Sequence, residues 1–310
     1  MTGAARGHLA MLSFSALVAG SFSLGGMAAP FIAPEVMTAA RFVIAAVLLT
    51  GIAFAMGEMP RRAFAAPWRY VLLSGLFVFY FVMMFEGLKT AEPVSMAAVF
   101  TLNPILAGAF GWLLLRQVTT PRMATALVIG GIGALWVIFR ADVSAFLAFQ
   151  IGRGETVYFW GCLAHAFYIP LVRKLNRGES ALTFNAGVVV AGAGLLLVYG
   201  GPAMLATDWA ALPGIVWITL IYISIMATAL TFPLLRFGSL NLPSAKVMAY
   251  TYLTPSWVLV WEVALGHGAP PTLVLPGVAL TVLALLLLLR DEEAPGAGQV
   301  PGERKSADRR

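Results

Sequence analysis

Ten membrane-spanning helices in two inverted halves is the all-α fold this sequence predicts, and three observations predict it. Hydrophobic residues make up 60% of the 310 and charged residues 11%, with mean hydropathy +0.87; soluble domains carry about 25% charged residues. Apolar stretches of about 20 residues, the length that crosses the hydrocarbon core of a bilayer, recur ten times with short connections. Lys and Arg are spread unevenly between connections on alternate sides.

The segments are taken in chain order. The first, 8 to 29, reads as a retained helix and not a signal peptide, being long, with Gly and Ser throughout and no compact basic start. The second, 34 to 56, follows Pro34 and carries Arg41. The third, 67 to 88, holds Phe77, Tyr80, Phe81 and Phe85 and reaches Glu86. The fourth, 93 to 115, is interrupted by Pro104. The fifth, 122 to 140, and the seventh, 181 to 200, contain Gly130, Gly131, Gly133, Gly187, Gly192 and Gly194, small residues that let helices approach. The sixth, 156 to 174, carries Trp160, His165 and Tyr168, and the eighth, 212 to 235, Tyr222. The ninth, 243 to 265, is interrupted by Pro255, and the tenth is 271 to 290. The charged, Pro/Gly-rich remainder, 291 to 310, is expected to be a disordered cytoplasmic tail.

Orientation follows from the basic residues. With both termini inside, the cytoplasmic side holds Arg6, Arg61, Arg62, Arg69, Arg116, Arg122, Arg173, Lys174, Arg177, Arg236, Lys246 and the tail, whereas the other side holds Lys89, Arg140 and Arg153. Five spans per half make the second half enter from the opposite side. A shift of 151 residues lays Gly87 on Gly238, Leu102 on Leu253, Pro104 on Pro255 and Asn103 on Thr254. The expected units are therefore 1–140 and 156–290, related as an inverted repeat, which is a signature of transporters.

The segments PEVMTAARFVIAAVLL (34 to 49), GLKTAEPVSMAAVFTLNPILAG (87 to 108) and LPSAKVMAYTYLTP (242 to 255) resemble the ten-helix, EamA-type members of the drug/metabolite transporter superfamily. Within it the pattern is most similar to the YddG-type aromatic amino acid exporters. The resemblance covers both halves and implies a basket around a central cavity, a small-molecule substrate such as an amino acid or related metabolite, and residence in a bacterial inner (plasma) membrane. The chain departs from the family where a Glu usually lies about 13 residues after each proline. Here those regions read LLLRQ and ALGHG, with Arg116 and His267 nearby.

Several residues carry chemistry. Arg41 lies about 10 Å along its helix from Pro34, by 1.5 Å per residue, where a cation costs about 2.5 to 3.5 kcal/mol on insertion scales. Glu86 and Glu262 are its expected ion-pair partners, in a structural pair, a snorkelling anchor or a gate. Lys246, Tyr250, Thr254 and Trp257 are spaced to share one face of the ninth helix, the expected cavity wall. Lys246 reads either as a positive-inside anchor or as a cation for a substrate carboxylate. His165 is the sole histidine inside a span, an interior packing residue or a substrate contact, with Tyr168 on a related face. Tyr80 and Tyr250 lie mid-span, where a phenol hydroxyl wants a partner. Asn103 and Thr254 precede Pro104 and Pro255, where a lost backbone bond is either repaired locally or used for binding; the two prolines are candidate gate hinges.

Other classes are excluded by what is missing. There is no HExxH, no phosphate-binding GxxxxGK[ST], no paired intramembrane aspartates, and the single cysteine, Cys162, forbids an internal disulfide or a cysteine metal cluster. No cofactor, metal, nucleic acid or obligate protein partner is expected; the bilayer and a solute are. The expected activity is export of bulky neutral amino acids by alternating access. Efflux of another substrate class and intramembrane catalysis are the alternatives.

Overall fold

A computed structural model describes residues 3–58, 65–91, 93–149, 151–266 and 272–290. The expectations for Arg61, Arg62, His267 and the tail from 291 lie outside these residues. Among them every regular element is helical, and eight stretches are long and apolar enough to cross a membrane. The helices are α1 (Gly3–Ala28), α2 (Pro34–Ala55), α3 (Trp68–Gly87), α4 (Pro93–Phe100), α5 (Asn103–Leu115), α6 (Pro121–Ile138), α7 (Val143–Leu147), α8 (Arg153–Leu175), α9 (Ala181–Ala206), α10 (Gly214–Ser224), α11 (Thr231–Asn241), α12 (Ser244–Ala249), α13 (Thr254–Ala264) and α14 (Leu275–Arg290). Besides the short α7, two helical stretches fall outside the eight: α8, with Arg153, Glu155, Arg173 and Lys174, and the stretch from α12 to α13, which is broken.

Local chemistry sets the ends. Pro34 and Pro121 stand in the first turns of α2 and α6, where the missing N–H costs nothing. Thr120, Asp142 and Ser180 accept backbone N–H groups at the starts of α6, α7 and α9. The fourth and ninth predicted segments are each interrupted before a proline. Between α4 and α5 the chain turns at Thr101–Leu102, and between α12 and α13 it tightens into a 3₁₀ turn, Tyr250–Leu253. Pro104 and Pro255 then occupy the first turns of α5 and α13. A third irregularity again precedes a proline, Pro233: a π-helical turn, Ile225–Leu230, joins α10 to α11.

The packing pairs helices of the first half with helices of the second. The main partners are α6 with α14, α2 with α9, α3 with α8, α5 with α8 and α12, and α1 with α10, α11 and α13. Some pairs approach so closely that only glycine fits. A Cβ on Gly133 would lie 2.7 Å from the Gly277 carbonyl oxygen, and one on Gly154 2.6 Å from that of Gly87.

Candidate functional site

The site is built around Arg41, which sits on α2 between Ala40 and Phe42 and is 1% exposed. Its Nε donates to the Thr228 hydroxyl and its Nη2 to the Ala227 carbonyl at 2.5 Å. Both acceptors belong to the π turn, whose extra residue loosens the backbone ladder and leaves a carbonyl aimed sideways. Thr228 in turn donates to the Ile223 carbonyl at 2.7 Å, so its hydroxyl is used in both directions. The guanidinium carbon lies 3.9 Å from the centre of the Phe81 ring, a cation–π contact. Arg41 makes no ion pair among the described residues, and its Nη1 has no hydrogen-bond partner there.

Arg41 borders a cavity enclosed by α1, α2, α3, α4, α8 and the π turn with the start of α11, lined by Ser21, Arg41, Phe77, Tyr80, Phe81, Met84, Phe100, His165 and Thr231, with Phe14, Val18, Phe22 and Ala227. Aromatic rings make most of its wall. His165 stacks on Tyr80 with centroids 4.4 Å apart and planes at 20°, and lies edge-on to Phe77 at 5.3 Å. Phe100 runs nearly parallel to His165 at 6.0 Å. Neither imidazole nitrogen has a partner, nor does the Ser21 hydroxyl, whereas Tyr80 reaches the Tyr158 hydroxyl at 3.4 Å. The cavity holds about 20 Å³, room for roughly one water. That space is too small for an amino acid.

Three predicted residues, Arg41, Tyr80 and His165, come together here. Tyr168 stands one ring behind, 4.5 Å from Phe77. Asn103 is fully buried with neither amide atom bonded, and the buried Thr254 hydroxyl is also unpartnered; neither lines the cavity, and neither repairs its kink by a hydrogen bond.

Two expectations need correction. Arg41 does not pair with Glu86 or Glu262: Glu86 bonds Lys89 at 2.6 Å at the half-exposed end of α3, while the π turn supplies neutral acceptors to Arg41. Nor do Lys246, Tyr250, Thr254 and Trp257 form one wall of the cavity. Lys246 donates to the Leu288 carbonyl on α14 at 3.0 Å, the Tyr250 hydroxyl meets His8 Nδ1 on α1 at 2.7 Å, and Trp257 donates to Ser15 at 3.2 Å. The division falls between Lys246 and Tyr250, ahead of the 3₁₀ turn, so the shared face meets two neighbours: α14 takes Lys246, and α1 takes Tyr250 and Trp257.

A second polar cluster was hidden among the residues read as topology markers. Arg69, 1% exposed, pairs with Glu179 and donates to the Leu175 carbonyl at 2.6 Å. Arg236 donates to Asn176 at 2.9 Å and to the Glu179 carbonyl at 2.6 Å, and Thr183 donates to the Glu58 carbonyl. The cluster ties α3 and the end of α2 to the α8–α9 connection and to α11. Burial pushes the Glu179 carboxyl up, but hydrogen bonds from Arg69 and from the backbone outweigh this and hold it below its ordinary value.

Comparison with known proteins places this geometry. The profile of the EamA-like transporter family matches residues 5–139 and 152–290. A Bacillus subtilis (strain 168) protein, the uncharacterized transporter YyaM, is 24% identical over 281 residues, 90% of this chain and 92% of its own length. A Chlamydia trachomatis serovar L2 protein, an S-adenosylmethionine/S-adenosylhomocysteine transporter, is 28% identical over 180 residues, 56% of this chain and 55% of its own. One solved crystal structure superposes with a TM-score of 0.74 at 20% identity, covering 93% of this chain and 97% of that one.

Proposed function

Because the chain belongs to the EamA-like transporter family, we propose that it is a secondary carrier working by alternating access, and that its solute bears a carboxylate on a bulky apolar or aromatic body. Phenylalanine and tryptophan are the amino acids of that shape, and export of such neutral amino acids across a bacterial inner membrane is the reading put forward, as in the YddG-type branch. The observation that carries it is the Arg41 guanidinium: a buried cation with one nitrogen unpartnered and no acidic partner among the described residues, on a residue that lines a cavity walled by rings. A carboxylate bound there supplies the missing charge, since an arginine fork suits it geometrically. Tyr80 and His165 contact the body, with Tyr168 behind them. Asn103, Lys246, Tyr250, Thr254 and Trp257 act outside the closed cavity, on the helices that must move.

Alternating access is proposed through two five-helix halves, 1–140 and 156–290, and ten spans in which α4–α5 and α12–α13 are the broken pair. The packing supports this. Exchanging the first five spans with the last five turns α3–α8 into α1 against α10–α11, turns α5–α8 into α13–α1, and returns α2–α9 and α6–α14 to themselves. Pro104 and Pro255 stand at matching places and serve as hinges. The site itself is asymmetric, since the position 151 residues after Arg41 is Gly192.

A second reading follows from the Chlamydia relative: S-adenosylmethionine and its demethylated product also combine an amino-acid carboxylate with an aromatic ring. Counterflow into proteoliposomes distinguishes the two. Labelled phenylalanine should be taken up, competed by leucine and methionine, and lost on Arg41→Gln or Tyr80→Ala. Uptake of S-adenosylmethionine without phenylalanine favours the second reading, and transport of a cationic drug with no carboxylate-bearing solute sinks both.

A further inference from the structure

Resting on the reading that Arg41 takes a carboxylate, we propose that the site prefers arylalkanoate monoanions such as 3-phenylpropionate to zwitterionic amino acids of the same shape. The argument is one of charge and of donor count. Among the described residues lining the cavity none is acidic, and the atoms without partners are Arg41 Nη1, both nitrogens of His165 and the Ser21 hydroxyl. An arginine N–H can only donate, a neutral imidazole has one N–H to donate, and a hydroxyl can donate one more. Residues carrying three such donors line the one cavity, and a carboxylate has lone pairs enough for all of them.

An α-ammonium gains nothing comparable. It would enter beside the guanidinium as a second cation in a space with little water, where like charges repel strongly. The Ala227 carbonyl already accepts from Arg41 Nη2 and the Tyr80 hydroxyl already faces Tyr158; the acceptors left for its N–H groups, one His165 nitrogen and the Ser21 hydroxyl, are neutral and offset no second positive charge. The face of Phe81 is likewise occupied by the guanidinium. A carboxylate alone leaves the closed site neutral; a zwitterion restores the net charge that the protein does not balance. Buried charges persist where they are paired and become costly where they are not. The apolar remainder of the solute meets the same rings in either case, so the difference between the two ligand classes lies in the ammonium alone.

Equilibrium binding to the purified full-length protein in nanodiscs tests this, with labelled 3-phenylpropionate as the probe and unlabelled phenylalanine, methyl 3-phenylpropionate and phenethylamine as competitors. The expected order places 3-phenylpropionate at least about tenfold, or about 1.4 kcal/mol, tighter than phenylalanine, with the ester and the amine weaker than both acids. Phenylalanine binding as tightly as 3-phenylpropionate, or tighter, overturns the preference and leaves the carboxylate reading standing. An ester or amine that matches the acids, or no binding of either acid, overturns both. The wild-type panel decides without a variant; a folded Arg41→Gln protein should in addition bind acid and ester alike, and retained discrimination between them would contradict the assignment.

Discussion

Replacing Glu179 with glutamine should unfasten one end of the bundle. The carboxylate is the only acidic partner of Arg69 among the described residues, and the two side chains are 8% and 1% exposed. Removing one member of a buried pair costs roughly 3–5 kcal/mol, because the other charge stays behind uncompensated. Here the low end applies, about 3 kcal/mol, since Arg69 keeps the Leu175 carbonyl and the amide oxygen of glutamine keeps one acceptor in place. That is about a hundredfold in an opening equilibrium. Hydrogen exchange of the amides at the start of α3 and from 176 to 184 reads it directly. Those amides should lose protection about a hundredfold, while α6 and α14, packed on each other elsewhere, should not change. Glu58→Gln is the control, because Glu58 contributes its carbonyl to the cluster. Unchanged protection in Glu179→Gln would show that the pair does not hold these elements together. The same bond sets a pH dependence. Glu179 is held below its ordinary value, so its contribution is complete above the unfolded carboxylate pKa, about 4.3. It is lost only as pH falls through the lower folded value, so the segment should stay protected at pH 5 and loosen in stronger acid.

Other outcomes follow from the packing and the breaks. Gly133→Val should destabilise by about 1–3 kcal/mol and lower the Tm in detergent, because its side chain would meet the Gly277 carbonyl and α14 backbone; an unchanged Tm would place the two helices farther apart. Pro104→Ala and Pro255→Ala restore a backbone donor at each break and should slow turnover more than they weaken binding, measured as counterflow rate against Kd; unaltered turnover in both would remove the hinge role. With both termini inside, a cysteine at Asp208 should react with an impermeant maleimide from outside and one at Arg62 only from inside, and the reverse pattern would invert the proposed topology.

Much of the fold was legible because the bilayer leaves a chain few options. Backbone polar groups without water must bond within a helix, so apolar length alone marks most spans, and Pro34 or Pro121 fixes where one starts. Ends without such a marker ran further than expected: α9 continues through Gly200, Gly201 and Pro202 to Ala206, and α11 reaches Asn241 where the prediction stops at 235. Arg41, Tyr80 and His165 were legible in the site for the same energetic reason, since a polar group at depth is expensive unless it has a use. Phe100, Ser21 and Thr231 were not, because serine, threonine and phenylalanine are common in any span and only their convergence distinguishes them.

The two misreadings have different physical causes. One took a shared helix face to mean a shared neighbour, and the other took a carboxylate at similar depth to be the acceptor a buried arginine needs. Lys246 bonds to α14 while Tyr250 and Trp257 bond to α1, so an apparent stripe becomes two separate anchors. The π turn at Ile225–Leu230 releases the Ala227 carbonyl that, with Thr228, takes the place of the carboxylate expected for Arg41. No residue in IMATAL announces that turn, but Pro233 just beyond it has no N–H for the Ala229 carbonyl. Arg41 donates to two groups of the turn, and the turn in return gives Arg41 its acceptors at depth. Neutral acceptors are what leave the cation's charge available to a solute, because a glutamate at that position would have closed the pair within the protein and left a bound anion nothing to neutralise.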